Sequence, residues 1–199
     1  MVRKDGIKEY ITELASILPK LPNNNIKDLV ELLMKACKNK NQVFIMGNGG
    51  NGCTASHFVN DIEKYTVVSD TKNEVVADKN RIRAMCLNDN TATVTAWTND
   101  ISFDICFSEQ LKNWVQEGDI VIGISASGNS KNVLNAFEVA KQHNAITVCL
   151  SAGDGGKAKD IADLSVIVPS KHNTIVEDIH LIILHLCVNL VRDIIQKGE

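Results

Sequence analysis

Gly47-Asn48-Gly49-Gly50-Asn51-Gly52 and Ser125-Ala126-Ser127-Gly128-Asn129-Ser130 are two short loops rich in backbone amides, hydroxyls and carboxamides. The first trails the apolar run Val43-Phe44-Ile45-Met46, and the second trails Ile120-Val121-Ile122-Gly123-Ile124. Each leads into an amphipathic stretch. Where a strand ends and a helix begins, free N–H groups and the helix dipole favour an anion. Ser125, Ser127 and Ser130 add hydroxyls just ahead of the helix that opens with Lys131-Asn132-Val133. Two such loops in one chain describe a polar pocket at the edge of a parallel sheet, suited to a phosphorylated sugar. Taken alone, the second loop is equally a serine-rich turn with Ser130 as an ordinary N-cap.

The ionisable residues fall on two helical patterns. His57 and Asp61 lie four apart and share a face. On the last helix Glu177, Leu181 and His185 share a face, with His180 beside it three residues on from Glu177. Two helices that each present an acid and an imidazole can hold a divalent metal such as zinc. They can equally supply a general acid–base pair. Read singly, each pair is also an ordinary interhelical hydrogen bond. Glu177-x-x-His180 matches half of a di-metal helix motif, but the chain has no second copy.

Gly47-x-Gly49-x-x-Gly52 also satisfies a dinucleotide fingerprint, with Asp70 near the distance expected for the ribose-binding acid. Asp70, however, lies in a polar excursion and not at the end of a firm strand. A dinucleotide also leaves the serine loop unexplained, so no nucleotide cofactor is expected.

The hydrophobic pattern supplies a scaffold for these groups. Apolar spacing predicts helices over 7–18 and 26–37, broken by Leu21-Pro22-Asn23, and over 54–65, 102–115, 131–143, 157–162 and 175–195. Strands are expected at 42–46, 82–87, 119–124, 146–150 and 164–168, the last stopped by Pro169. Short apolar strands alternating with helices imply an α/β fold with a parallel sheet covered on both faces. Residues 1–199 read as one domain, with 1–40 as a helical extension and 67–81 as a polar surface excursion. Trp97 and Trp114 fall in helical patterns and read as core or interface packing.

Composition narrows the function classes. The chain has 199 residues, 44% of them hydrophobic, and a net charge of -3. That is ample for a core and lacks the basic face of a nucleic-acid or membrane-surface binder. No apolar signal core follows Met1-Val2-Arg3-Lys4-Asp5, and no window is expected to approach a membrane span. The six cysteines include no CxxC pair, and several sit in apolar runs. A cytoplasmic protein with reduced thiols is expected.

Gly47-Asn48-Gly49-Gly50 followed by Ala55-Ser56-His57-Phe58 resembles the opening motif of the sedoheptulose 7-phosphate isomerase (phosphoheptose isomerase) family, within the sugar isomerase (SIS) domain superfamily. The stretch from Gly123 to Ser130 with Asn132-Val133 resembles its phosphate loop. Asn99-Asp100 before Phe103, Asp154-Gly155-Gly156-Lys157, and Glu177-Asp178-Ile179-His180 with His185 match the family layout over nearly the whole chain. The resemblance implies a three-layer αβα sandwich with a five-stranded parallel sheet, and a homotetramer with active sites lined by more than one subunit. It places phosphate on Ser125, Ser127 and Ser130, beside Ala126, and histidine metal ligands at His57 and His185. His185 also falls on the family's catalytic histidine. Asn48, Gly49, Gly50, Asn51, Asp89, Asn99 and Asp100 fall among substrate-proximal positions.

The chain departs from the family pattern at several of these places. The family's catalytic glutamate is Asp61 here, and its glutamine on the last helix is Glu177. Ala126 replaces a threonine, Asn51 a serine, and Thr174 an acid. Each helix nonetheless keeps a carboxylate, so Asp61 or Glu177 is expected as base, His185 as acid or shuttle, and His57, Asp61, Glu177 and His185 as ligands of one zinc. The activity implied is ketose–aldose isomerisation of sedoheptulose 7-phosphate to D-glycero-D-manno-heptose 7-phosphate through an enediol, feeding the heptose of lipopolysaccharide or capsule. The alternative is a non-catalytic SIS protein, either a sugar-phosphate sensor or an assembly factor like the SIS partner of the replication initiator.

Overall fold

Phe44 and Ile45 point to opposite faces of one strand, and the two hydrophobic cores of the molecule divide along that alternation. The strands are β1 (Gln42–Gly47), β2 (Arg83–Cys86), β3 (Ile120–Ile124), β4 (Ile146–Ala152) and β5 (Leu164–Val168). They form one parallel sheet in the order β2-β1-β3-β4-β5, with Ile45 paired to Ile122 and Ile122 to Val148. The helices are α1 (Gly6–Ile17), α2 (Asn23–Asn39), α3 (Gly50–Asn60), α4 (Thr91–Asp100), α5 (Ser108–Leu111), α6 (Lys131–Gln142), α7 (Gly156–Ile161) and α8 (Asn173–Lys197). This computed structural model describes residues 5–69, 71, 73–76 and 80–197.

One face of the sheet buries Val43, Ile45, Ile122, Val148 and Val166 under Leu29 and Leu33 of α2, Phe58 of α3 and Ile183 of α8. The other buries Phe44, Met46, Val121 and Cys149 under Leu111, Val133 and Phe137. The result is the αβα sandwich expected, and the front helices share its core through Ile17, Leu21 and Ile26. Strand order reverses between β1 and β3. That is the switch point at which open parallel sheets bind ligands, and it sets the two glycine-bearing loops side by side at the carboxyl edge.

Three expectations need correction. The helix expected over 102–115 is broken: Ser102 accepts the Asp104 N–H (3.1 Å), a 3-10 turn runs Phe103–Ile105, and α5 spans only four residues. Ahead of it stands α4, whose bounds the pattern around Trp97 did not give because Thr91, Thr93, Val94 and Thr95 are poor helix formers. It is started by Asn90, whose Oδ1 accepts the Thr93 N–H at 3.1 Å. Trp97 packs against the second core, and Trp114, 61% exposed in the single chain, is left with the interface reading of the two expected. Finally, α8 is long and apolar enough to cross a membrane by length and composition, with a mean hydropathy of 1.7 over its most apolar window. Half of that window is buried, against the sheet, so α8 is accounted for as a core helix.

Beyond α3 the chain makes a π-helical turn, Asp61–Tyr65, and then a surface excursion closed by an antiparallel bridge between Val68 and Val75. Asp70 lies outside the described residues.

Candidate active site

The two loops at the switch point are fastened by carboxamides. Gly47 donates its N–H to Asn88 Oδ1 (3.1 Å) and accepts from Asn88 Nδ2 (2.8 Å), which anchors the end of β1 to the segment after β2. Asn48 and Asn132 exchange two amide hydrogen bonds, at 3.0 and 2.8 Å, and so tie the glycine loop to the first turn of α6. Asn88 and Asn132 are positioning residues; sequence reasoning did not single out Asn88, and it named Asn132 only as part of the phosphate-loop motif. Their partners are 41 and 84 residues away, beyond any local pattern.

The serine loop is held in a defined shape. Buried Ser125 donates to Ser130 Oγ at 3.0 Å, and Ser127 Oγ accepts the Asn129 N–H at 3.2 Å. Ser130 makes no side-chain capping bond to α6, so it is not the ordinary N-cap that the loop alone allowed. Gly128 has φ +61 and packs on the Gly155 carbonyl so closely that no side chain fits. Asn129 Oδ1 accepts from Lys157 N (3.2 Å), and Gly128 O accepts from Ala158 N (2.9 Å), which joins the loop to α7. Beside it opens a pocket of about 220 Å³ lined by Ala126, Ser127, Gly153, Asp154, Lys171 and Asn173.

Further down α3, three side chains converge. His57 Nε2 lies 3.2 Å from His185 Nε2 and 3.2 Å from Asp61 Oδ2, and His185 Nε2 lies 3.4 Å from the same oxygen. The other carboxylate oxygen, Oδ1, accepts from Asn60 Nδ2 at 3.0 Å. A tetrahedral ion with ligands at about 2.0–2.1 Å has ligand–ligand edges of about 3.3 Å. The triangle therefore fits the base of such a site, with its fourth position open, and the donor set of two imidazoles and one carboxylate suits a borderline divalent metal.

Glu177 does not join this group. Its carboxylate lies over Gly50 at the start of α3, where an added Cβ would sit 2.6 Å from Oε2. Contact of Gly50 with Glu177 and of His57 with His185 shows that α3 and α8 run side by side in the same direction. Glu177 and His185 are separated by about 12 Å of helix. The two sit at different levels of one cleft face.

His180 is fully buried between α8, α3 and the sheet. Burial pushes its imidazole down from 6.5 to about 4, so the ring is neutral. Its Nε2 lies 3.3 Å from the Ser151 carbonyl and its Nδ1 lies 3.1 Å from the Asn51 side-chain oxygen. A neutral imidazole has one N–H to give. Donation from Nε2 to Ser151 then requires Asn51 to turn its NH2 group to Nδ1, an orientation assigned from the network. His180 is thus a satisfied core residue that fixes Asn51.

Asp89 is exposed just past Asn88, and Asn99 donates to Asp100 Oδ1 (2.9 Å) at the exposed end of α4. Among the described residues none of the three shares a hydrogen bond with either loop. Cys86, Cys149 and Cys187 are driven by burial to about 12, 11 and 12, which keeps these thiols protonated and inert.

Residues 8–152 match the family described as the SIS domain. A phosphoheptose isomerase of Citrifermentans bemidjiense is 35% identical over 175 residues, covering 87% of this chain and 86% of the relative. The structure of a phosphoheptose isomerase from Francisella tularensis, 25% identical, superposes with a TM-score of 0.86 over 97% of this chain and 100% of that one. One from Neisseria gonorrhoeae, 26% identical, gives a TM-score of 0.76 over 92% and 91%. With the switch-point loops and the paired helices already in place, the sequence and structural matches agree: the chain belongs to the phosphoheptose isomerase family of SIS-domain proteins.

Proposed function

We propose that this chain interconverts sedoheptulose 7-phosphate and D-glycero-D-manno-heptose 7-phosphate by moving a proton between carbons 1 and 2 through an enediol. The observation that carries the reading beyond sugar-phosphate binding is the His57–Asp61–His185 triangle, which a sensor or assembly factor has no need of. Ser125, Ser127, Ser130 and the start of α6 bind the phosphate. The side chains of Asn48 and Asn51 are occupied by Asn132 and His180, so the glycine loop meets the sugar through its backbone.

His57, Asp61 and His185 hold one divalent ion, zinc in our reading. Such an ion, when bound, polarises the substrate oxygen and stabilises the enediolate charge. Asp61 or Glu177 removes the carbon-bound proton: both oxygens of Asp61 are engaged, by Asn60 and by the two imidazoles, which favours Glu177, while Asp61 is the carboxylate that stands beside His185. We assign His185 the acid or shuttle role.

Asp89, Asn99 and Asp100 reach the sugar in a homotetramer whose active sites are shared between subunits. Ile101 and Phe103, 66% and 45% exposed beside Asp100, support burial of that edge by another copy. Free cysteines support a reducing, cytoplasmic setting. The shared core of α1, α2 and the sheet supports reading 1–199 as one SIS unit with 1–40 as its extension. The heptose product serves surface-glycan assembly.

The test is to incubate metal-stripped and zinc-loaded protein with sedoheptulose 7-phosphate and follow aldose formation by NMR. Turnover that disappears in Asp61→Ala and His185→Ala supports the reading. A sugar phosphate that raises the melting temperature without turnover favours the sensor.

A further inference from the structure

The π-helical turn Asp61–Tyr65 starts at the residue that gives the metal-capable triangle its carboxylate. Such turns are rare and gather at functional sites. Its far end is gripped from α8. The Arg192 guanidinium carbon stands 4.2 Å from the centre of the Tyr65 ring, and Nη1 donates to Tyr65 Oη at 3.0 Å. Nη2 of the same fork donates to the Val68 carbonyl at 3.2 Å. One turn on, Gln196 donates to the carbonyls of Thr66 (3.2 Å) and Val68 (3.1 Å). His185, Asn189, Arg192 and Gln196 recur at helical spacing, so the grip comes from the face of α8 that carries the imidazole. Asp61, Tyr65, His185 and Asn189 line one cavity of about 280 Å³.

We propose that Arg192 is a positioning residue that, through Tyr65, holds the π turn against α8 and thereby sets the reach of Asp61 to His185. The His57–Asp61 edge is local to one helix segment and forms with little help from elsewhere. The Asp61–His185 edge, 3.4 Å, joins two helices and depends on where the π turn is held. Aspartate is one methylene shorter than glutamate, so the backbone must carry its carboxylate the remaining distance. Arg192 stacks on the ring, donates to its hydroxyl and donates to the backbone beyond it. A lysine has no planar fork with which to do all three. Arg192 acts through Tyr65 and the Val68 backbone and is assigned no contact with a reacting atom.

The inference rests on the metal reading of the triangle, and its test separates the two. Cobalt(II) affinity, by competition with a chromophoric chelator, and the visible cobalt spectrum are measured for the wild type, Arg192→Lys, Tyr65→Phe and Ile26→Val. Ile26 lies on α2, away from the π turn, and controls for lost stability. Arg192→Lys is expected to weaken cobalt binding about 10- to 100-fold and shift the spectrum, the range for residues that orient ligands without touching the metal. Tyr65→Phe keeps the ring but not the hydroxyl contact, so its loss is smaller. Ile26→Val leaves affinity and spectrum unchanged. If the wild type takes up no cobalt or zinc, the metal reading fails and the inference with it. If the wild type binds and Arg192→Lys binds equally well with the same spectrum, the metal reading stands and the positioning role is overturned.

Discussion

His57 and His185 face each other Nε2 to Nε2 at 3.2 Å from two helices that run in the same direction, α3 and α8. Asp61 Oδ2 closes the triangle on both. Three atoms that could ligate a metal are thus brought together by the fold, with Phe58 of α3 and Ile183 and Leu184 of α8 in one core and the π turn held from α8. A preassembled site binds metal without the ordering cost that a flexible one carries.

The first prediction follows from that preassembly. Purified protein is expected to hold about one zinc per chain, read by elemental analysis. Zinc at about 100 times its dissociation constant should stabilise the fold by about 2.7 kcal/mol, seen as a raised melting temperature. His185→Ala should abolish that rise, because two remaining ligands on adjacent turns of one helix make a far weaker site. An unchanged zinc response in His185→Ala would remove His185 from the ligand set.

Asp61 and Glu177 should separate cleanly by their kinetics and metal content. Glu177→Gln is expected to lower kcat about 10²- to 10⁴-fold, the usual worth of a general base, while zinc content stays near that of the wild type. Asp61→Asn should lose zinc first and turnover as a consequence. Full activity in Glu177→Gln would return the base to Asp61.

The serine loop makes a prediction about binding. Neither Ser127 nor Ser130 caps a helix through its side chain; exposed Ser127 can be removed at little cost, whereas Ser130 Oγ is the acceptor for buried Ser125. A hydrogen bond to a charged group is worth about 1.5–3 kcal/mol. Ser127→Ala and Ser130→Ala should each raise KM about ten- to a hundredfold with kcat little changed; the melting temperature should stay nearly constant for Ser127→Ala and fall for Ser130→Ala, which leaves buried Ser125 without its acceptor. Ser125 is buried against Ser130, and its alanine variant should lose stability as well. A KM that stays put in Ser127→Ala and Ser130→Ala would move the phosphate elsewhere.

Much of this was legible in the sequence, for local reasons. The five strands are short apolar runs between turn residues, and the helix pair His57–Asp61 declares itself by spacing. The missing part is set by contacts between distant segments. Nothing near Asn132 marks it as the partner of Asn48, 84 residues earlier. Spacing puts Glu177 and His185 on one face, but helical rise keeps their side chains at different levels, and only the pairing of α3 with α8 shows which one meets Asp61. The bounds of α4 are blurred because β-branched residues override the pattern around Trp97, and its Asn90 cap looks like any loop asparagine.

His180 gives the last prediction, in which the sign is fixed by burial. Its imidazole titrates near 4 in the folded protein and near 6.5 when unfolded. Between those values the unfolded chain binds the extra proton, so stability is fully present above pH 6.5 and falls as pH drops toward 4. The contribution at stake is about 3 kcal/mol, taking 1.36 kcal/mol for each unit of difference. Urea midpoints measured at pH 7, 5.5 and 4.5 should therefore drop more steeply for the wild type than for His180→Gln, which offers the same two neighbours an amide that does not titrate. Because His180 also fixes Asn51 at the start of α3, the acid loss should be matched by earlier hydrogen exchange in the glycine loop. Parallel pH curves for the two proteins would mean that His180 is not held neutral, and the amide orientation assigned to Asn51 would have to be reversed.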